Sequence, residues 1–327
     1  MSDRAELLLD DILGAPAALA RLVDSYAEAG GPLERVGLRP GRIVFTGLGS
    51  SRYAANAAEA SFRAGGITTA VEYASTRDPI LPADDLVLVA ISASGSTREV
   101  VAGARRHRGR SRVIAVTNRE DSVLAAEADV VLPLLAGEER SGVATRTFRA
   151  TLAVLGLLGL HWRDGSSHAR ALLGPGVAAL SDLIENRDDW LSEACDRLDG
   201  ATAIDVLADA ADLGLAEQAA LMLREAPRLP AVAHDTGDWL HTAVYLAVPG
   251  HRALLFAGAA SDDEVVATIA RRGGETIVVG GPVAGAARSL VVESFDGGLE
   301  TAIVRSVIAE LLAAELWRRT DAIDKGP

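Results

Sequence analysis

Two short hydroxyl-rich turns carry the chemistry of this chain: Thr46-Gly47-Leu48-Gly49-Ser50-Ser51 and Ser92-Ala93-Ser94-Gly95-Ser96-Thr97. Each follows an apolar run rich in β-branched residues, Ile43-Val44-Phe45 and Leu86–Ile91, and each leads into a segment of helical periodicity. A strand, a Gly/Ser turn and a helix N-terminus together make an anion site. The glycines let the backbone approach closely, free N–H groups point at the ligand, and the helix dipole favours negative charge. Serine and threonine hydroxyls add donors without adding charge. The set suits a phosphate monoester on a small molecule. The plainer reading is that Gly and Ser only make tight strand-to-helix turns; two turns of one pattern weaken it. Gly47-Leu48-Gly49 lacks the third glycine of a dinucleotide fingerprint, because Arg52 stands there, and no Gly-Lys-Ser/Thr of a nucleotide P-loop follows either turn.

Such turns need parallel strands to hold them. Strand-like runs fall at 43–46, 70–73, 86–91, 113–117 and 130–134, after one leading helix expected over about 4–29 and ended by Gly30-Gly31-Pro32. A long helix over about 145–162 follows, then Asp164-Gly165-Ser166-Ser167 breaks the pattern. Helical stretches at 169–185 and 190–198 lead to a fainter second alternation, with strands at 203–207, 231–233, 253–256, 277–279 and 290–292 and a helix over 300–318. Alternating β and α segments imply a parallel sheet with helices on both faces, and the two turns would lie side by side at its carboxyl edge. The expected division is an N-terminal helix over 1–30, a first α/β unit over 31–165, a helical connection over 166–200 and a divergent second unit over 201–327.

Composition narrows the partners. In 327 residues, 49% are hydrophobic and 24% charged, as in an ordinary soluble α/β protein, while aromatics are only 4%. The net charge of −13 argues against nucleic acid, whose phosphates need a basic surface. An anionic ligand must then be held locally, and Arg52, Arg98 and Arg146, in or beside the turns, are candidates for that compensation. The single Cys195 excludes an internal disulfide and fits a reducing cytoplasm. The polar N-terminus is unlike a signal peptide. No apolar run reaches the roughly 18 residues of a membrane span.

The turn Gly49-Ser50-Ser51, the loop Ser92–Thr97 and the stretch Gly142-Val143-Ala144-Thr145-Arg146 resemble the sugar isomerase (SIS) family. The likeness is nearest to the double-SIS isomerase domains of the glutamine–fructose-6-phosphate aminotransferase and phosphosugar deaminase group. It extends from the leading helix to about residue 320, more faintly in the second half. The resemblance implies an α/β fold of two tandem doubly wound parallel five-stranded sheets. It implies a sugar phosphate held by Gly49, Ser50, Ser51, Ser92, Ala93, Ser94, Gly95, Ser96 and Thr97, with Val143, Ala144 and Thr145 lining the sugar. Glu139 resembles the family's acidic position before that stretch, with the spacing shifted by a residue on each side of Gly142-Val143-Ala144.

Proton transfer between adjacent sugar carbons, through an enediol or enolamine, needs a carboxylate base and a group for ring opening. The resemblance puts Glu225, in Leu223-Arg224-Glu225, at the base position and His241, in Gly237-Asp238-Trp239-Leu240-His241, at the ring-opening position. Taken alone, each reads as a solvated helix carboxylate and a surface or satisfied histidine. The sequence departs from the family in three places. Met222 replaces a lysine three residues before the glutamate and reads as a core residue. The sequence ends at Asp324-Lys325-Gly326-Pro327, short of the segment that carries the Schiff-base lysine of the family's C-terminal tail, and Lys325 reads as a terminal charge that could substitute only by a different path. Ala208-Asp209-Ala210 replaces a glycine-rich turn.

The six histidines show no metal-ligand spacing, and no Gly-x-Ser-x-Gly elbow is present. No cofactor and no metal are expected. Three readings follow: a cofactor-free isomerase or deaminase of a hexose or amino-sugar phosphate, a catalytically weakened sugar-phosphate sensor, or a subunit that needs a separate amidotransferase. The family resemblance also implies a homodimer.

Overall fold

The computed structural model describes residues 4–165, 168–295 and 298–324. Lys325, Ser166 and Ser167 lie outside these residues. Two helices open the chain, α1 (Arg4–Leu13) and α2 (Ala15–Ala27). They replace the single leading helix expected from the sequence. Pro16 has no N–H to donate and its ring crowds the carbonyl four residues earlier, so the helix breaks at Gly14.

The alternation then runs β1 (Arg42–Gly47), α3 (Ser50–Ala64), β2 (Thr68–Tyr73), β3 (Leu86–Ile91), α4 (Arg98–His107), β4 (Arg112–Thr117), α5 (Val123–Glu127), β5 (Val130–Pro133) and α6 (Arg146–Asp164). Helices α7 (Ala169–Glu185) and α8 (Leu191–Leu198) connect to the second half. That half runs β6 (Ala203–Ala208), α9 (Leu213–Glu225), β7 (Ala231–Asp235), α10 (Thr236–Trp239), β8 (His251–Phe256), α11 (Asp262–Arg271), β9 (Glu275–Gly280), β10 (Arg288–Val291) and α12 (Leu299–Asp324).

The strands form two five-stranded sheets, ordered β2-β1-β3-β4-β5 and β10-β9-β8-β6-β7. Read from β7, the second order repeats the first, and every pairing is parallel. This is the two-sheet α/β fold expected. The strand order reverses between β1 and β3, which places a crevice outside their carboxyl ends.

Strand β3 shows why the sheet is held from both sides. All of Leu86–Ile91 is buried. Val87, Val89 and Ile91 face one apolar cluster, and Leu86, Leu88 and Ala90 face another. The larger cluster continues without a break into the second sheet. Helix α12 joins them: it packs on α1, α6, α7, α8 and α9 and contributes Ile303, Val307, Ile308 and Leu311 to the core. Small residues set the spacing of α3 against α9. A Cβ on Gly214 would come within 2.1 Å of the Tyr53 carbonyl oxygen, so only glycine fits that crossing.

Candidate functional site

Parallel pairing puts Thr46 of β1 level with Ala90 of β3. The two hydroxyl turns therefore open at the same edge, side by side. Gly49 caps α3 with φ 54, a left-handed conformation that favours glycine. Thr97 caps α4, and neither helix has a side-chain cap on its first turn. Their leading N–H groups are left for a ligand.

Both turns face one cleft of about 1240 Å³. Ser50, Ser51, Ser92, Ala93, Ser94, Ser96 and Thr97 line it, as do Gly142 and Ala144. The hydroxyls are already ordered: Ser92 Oγ lies 2.9 Å from Thr97 Oγ1, and Ser96 Oγ donates to Ser94 Oγ at 2.9 Å. Gly95 supports the turn from beneath. Its φ is 63, and a Cβ there would meet Ser122 Oγ at 2.1 Å. Ser122 in turn caps α5 by accepting from Ala125 N.

The third expected segment divides. Ala144 reaches the cleft, whereas Val143 is buried and Thr145 is fully buried. Thr145 N donates to Glu139 Oε1 at 2.6 Å, and Thr147 donates to the same carboxylate through N and Oγ1 at 3.0 and 2.7 Å. Glu139 thus occupies two of the backbone donors at the N-terminus of α6. Its own carboxylate also borders the cleft.

The compensating arginines are not those expected. Arg52 turns away to pair with Glu217 on α9 and lies over the Tyr73 ring, 4.1 Å from its centroid. Arg146 bonds Asp11 of α1 at 2.7 Å and the Glu138 carbonyl. Arg98 does not line the cleft. The cations that do are Arg21, from α2, and Arg119, after β4, with Asn118 beside it. Asn118 and Arg119 were legible in principle, since they follow a strand at the ligand-binding edge. Arg21 was not, because only the folded chain brings α2 there.

Neither proposed acid–base residue lines this cleft within the chain. Glu225 is the last residue of α9 and is exposed. Desolvation by its surroundings raises its carboxyl pKa, with Arg224 opposing. His241 is exposed just after α10, its N–H donating to the Asp238 carbonyl. Met222 is fully buried among apolar neighbours, in keeping with a core residue.

The matching edge of the second sheet is chemically opposite. Asp209 accepts from Ala211 N, and Asp262 Oδ2 accepts from Gly258 N and Ala259 N at 2.8 and 3.1 Å. Among the described residues, carboxylates there accept from backbone N–H groups of the turns, whereas the first sheet's turns carry hydroxyls and glycine. Among the described residues no cluster of three or more His, Cys, Asp or Glu side chains is placed to hold a metal ion. Among the described residues no helix is long and apolar enough to cross a membrane.

Comparison with known proteins agrees with this architecture. Residues 38–160 match the SIS domain model. Glutamine–fructose-6-phosphate aminotransferase (isomerizing) of Aeropyrum pernix is 31% identical over 267 residues, which is 76% of this chain and 43% of that protein. The chain thus spans less than half the length of that relative. The C-terminal domain of glucosamine-fructose-6-phosphate aminotransferase from Francisella tularensis superposes with a TM-score of 0.79 at 16% identity, covering 95% of this chain and 96% of that one. Glucosamine-6-phosphate deaminase from Thermotoga maritima superposes with a TM-score of 0.74 at 20% identity, covering 98% and 95%. With the paired hydroxyl turns at the β1/β3 crevice, the family match shows that residues 38–160 form a SIS domain.

Proposed function

We propose that this chain binds the phosphate of a hexose or amino-sugar phosphate in the β1 and β3 turns and catalyses isomerisation or deamination of that sugar without a cofactor. One observation carries the reading: two uncapped helix N-termini and the hydroxyls of Ser51, Ser92, Ser94 and Thr97 converge on one cleft. An anion there would accept from several preorganised donors. In this reading residues 31–165 form the sugar-phosphate unit, 166–200 the helical connection and 201–327 the second unit.

Glu225 is the proposed base, moving a proton between C1 and C2 of the open-chain sugar, and His241 the proposed ring-opening group. Desolvation raises the Glu225 pKa, the direction that strengthens a carboxylate as a base. Both lie outside the cleft of their own chain, so the proposal includes a homodimer that brings such residues to a neighbouring cleft. Tyr245, Leu246 and Val248, 72%, 68% and 50% exposed close to His241, give that surface an apolar patch for a second copy. A separate amidotransferase subunit is the further partner suggested by the aminotransferase relatives.

A sugar-phosphate sensor is the second reading, favoured by Glu225 and His241 standing outside the cleft. One experiment separates the two. Thermal shift with fructose 6-phosphate and glucosamine 6-phosphate is followed by exchange of the sugar C2 proton in deuterated water. Stabilisation with exchange that Glu225→Gln abolishes is the expected result. Stabilisation without exchange assigns the sensor role, and no stabilisation by either sugar removes the phosphate cradle itself.

A further inference from the structure

The wall of the cleft beside the hydroxyl turns is held from an unexpected place. Gly142 and Ala144 reach the cleft on a short segment between Glu139 and α6. That segment has little regular structure of its own. What fixes it is Asp11, on the first helix of the chain and only 2% exposed. Asp11 Oδ2 accepts from Ser141 N at 2.9 Å, and Oδ1 accepts from Arg146 Nη2 at 2.7 Å. Arg146 also donates to the Glu138 carbonyl. One carboxylate therefore grips the segment on both sides of Gly142 and Ala144.

The local sequence is shaped for this grip. At the α1–α2 break the Arg146 guanidinium packs beside Gly14, with Nη1 3.6 Å from where a Cβ would stand, an ordinary contact distance. Ser141 Oγ accepts from Val143 N at 3.1 Å and tightens the turn. The neighbouring Asp10–Arg140 pair is 59% and 54% exposed and adds little. The Asp11 contacts are dry, bidentate and charge-assisted, which makes them stiff as well as strong. Both α1 and α2 precede the segment that matches the SIS model.

We infer that Asp11 is a positioning residue for the sugar-facing wall: through Ser141 and Arg146 it holds Gly142–Ala144 where the sugar, as distinct from its phosphate, is contacted. The inference rests on the sugar-phosphate reading of the cleft. It divides the site into two parts that respond differently. The phosphate cradle at Ser92–Thr97 is built on β3 and α4 and does not depend on Asp11. The sugar wall does, and a wall loose by even an ångström loses its contacts.

The test is calorimetric titration of the full chain with fructose 6-phosphate and with inorganic phosphate. Asp11→Asn keeps the size and an acceptor for Ser141 N but cannot pair with Arg146. Arg146→Met removes the same pair from the other side. Each variant is expected to lose at least about tenfold in affinity for fructose 6-phosphate while inorganic phosphate binding changes less than about twofold. A purely structural role would lower the melting temperature and leave the ratio of the two affinities unchanged, and that result overturns the inference. Should neither variant fold, amide exchange on the wild-type chain decides. Protection over residues 138–147 should rise with fructose 6-phosphate and not with phosphate alone, and equal protection overturns the inference. Failure of the wild-type chain to bind either ligand is a different result: it removes the sugar-phosphate reading, and the inference with it.

Discussion

Arg149 on α6 and Glu310 on α12 form an ion pair whose side chains are 1% and 0% exposed. The pair ties the helix that begins at the cleft to the helix that joins the two sheets. It is incompletely satisfied: Arg149 Nε and Nη1 and Glu310 Oε1 find no hydrogen-bond partner among the described residues. Burial pushes the Glu310 carboxyl up to about 7, with Glu139 adding to the rise and Arg149 opposing it. A carboxyl raised above its unfolded value binds more protons in the native state. Its contribution to stability is present at acid pH and is lost as pH rises toward and through 7.

Removing one partner of this pair strands the other charge in the core. Arg149→Ala is expected to cost about 3–5 kcal/mol of stability, read as a fall of many degrees in a melting scan. Glu310→Gln should cost less than Arg149→Ala at acid pH. It should also flatten the decline in melting temperature that the native chain shows between about pH 5 and pH 7.5. An unchanged slope in Glu310→Gln would show that other groups set the pH dependence.

The opposite sign is expected at His107. Burial lowers its pKa, and its ring bonds Ser111 Oγ and the Ile80 carbonyl, each at 3.2 Å. The native state holds it neutral, so stability contributed here is lost as pH falls below about 6.5. His107→Gln should remove part of the acid-side loss in urea titrations at pH 5 and pH 7.5, without altering phosphosugar affinity.

The cradle makes a graded prediction. Ser94→Ala or Thr97→Val removes one hydroxyl donor to a phosphate, worth about 1.5–3 kcal/mol, or ten- to a hundredfold in Kd. The melting temperature without ligand should hardly move in Ser94→Ala, whose side chain is exposed, and should fall slightly in Thr97→Val, which also removes the Ser92 Oγ–Thr97 Oγ1 hydrogen bond. Gly95→Ala should do more, because the added Cβ meets Ser122 Oγ at 2.1 Å. Both stability and binding should fall, by about 1–3 kcal/mol in stability. Titration with fructose 6-phosphate beside a melting scan separates the two classes.

Gly214→Ala tests whether the second half supports the site in the first. The new Cβ would lie 2.1 Å from the Tyr53 carbonyl and 2.6 Å from Ala57 N, so α9 must retreat from α3. We expect about 1–3 kcal/mol of destabilisation. Phosphosugar affinity should weaken as well, because α3 carries Ser50 and Ser51 at its first turn. Loss of stability with unchanged affinity would show that the Ser50–Ser51 turn is held by β1 alone.

The sequence by itself determined the local units of this protein. Continuous apolar runs rich in β-branched residues announced strands such as Leu86–Ile91 and Ile43–Phe45, because a strand buried on both faces must be apolar throughout. Glycine and serine at the ends of β1 and β3 are the basis of the proposed anion site, because backbone donors and left-handed turns are local properties. The repeated order of elements fixed the α/β class, and parallel pairing placed the two turns side by side. Only the tertiary structure decided which charges reach the cleft. Arg52 and Arg146 stand next to the turns in sequence, yet partners from α9 and α1, Glu217 and Asp11, draw them away. Arg21 stands far away in sequence and arrives on α2. The grip of Asp11 on Ser141 N has the same cause. A long-range contact wins when it satisfies a buried charge or N–H that the local chain cannot satisfy.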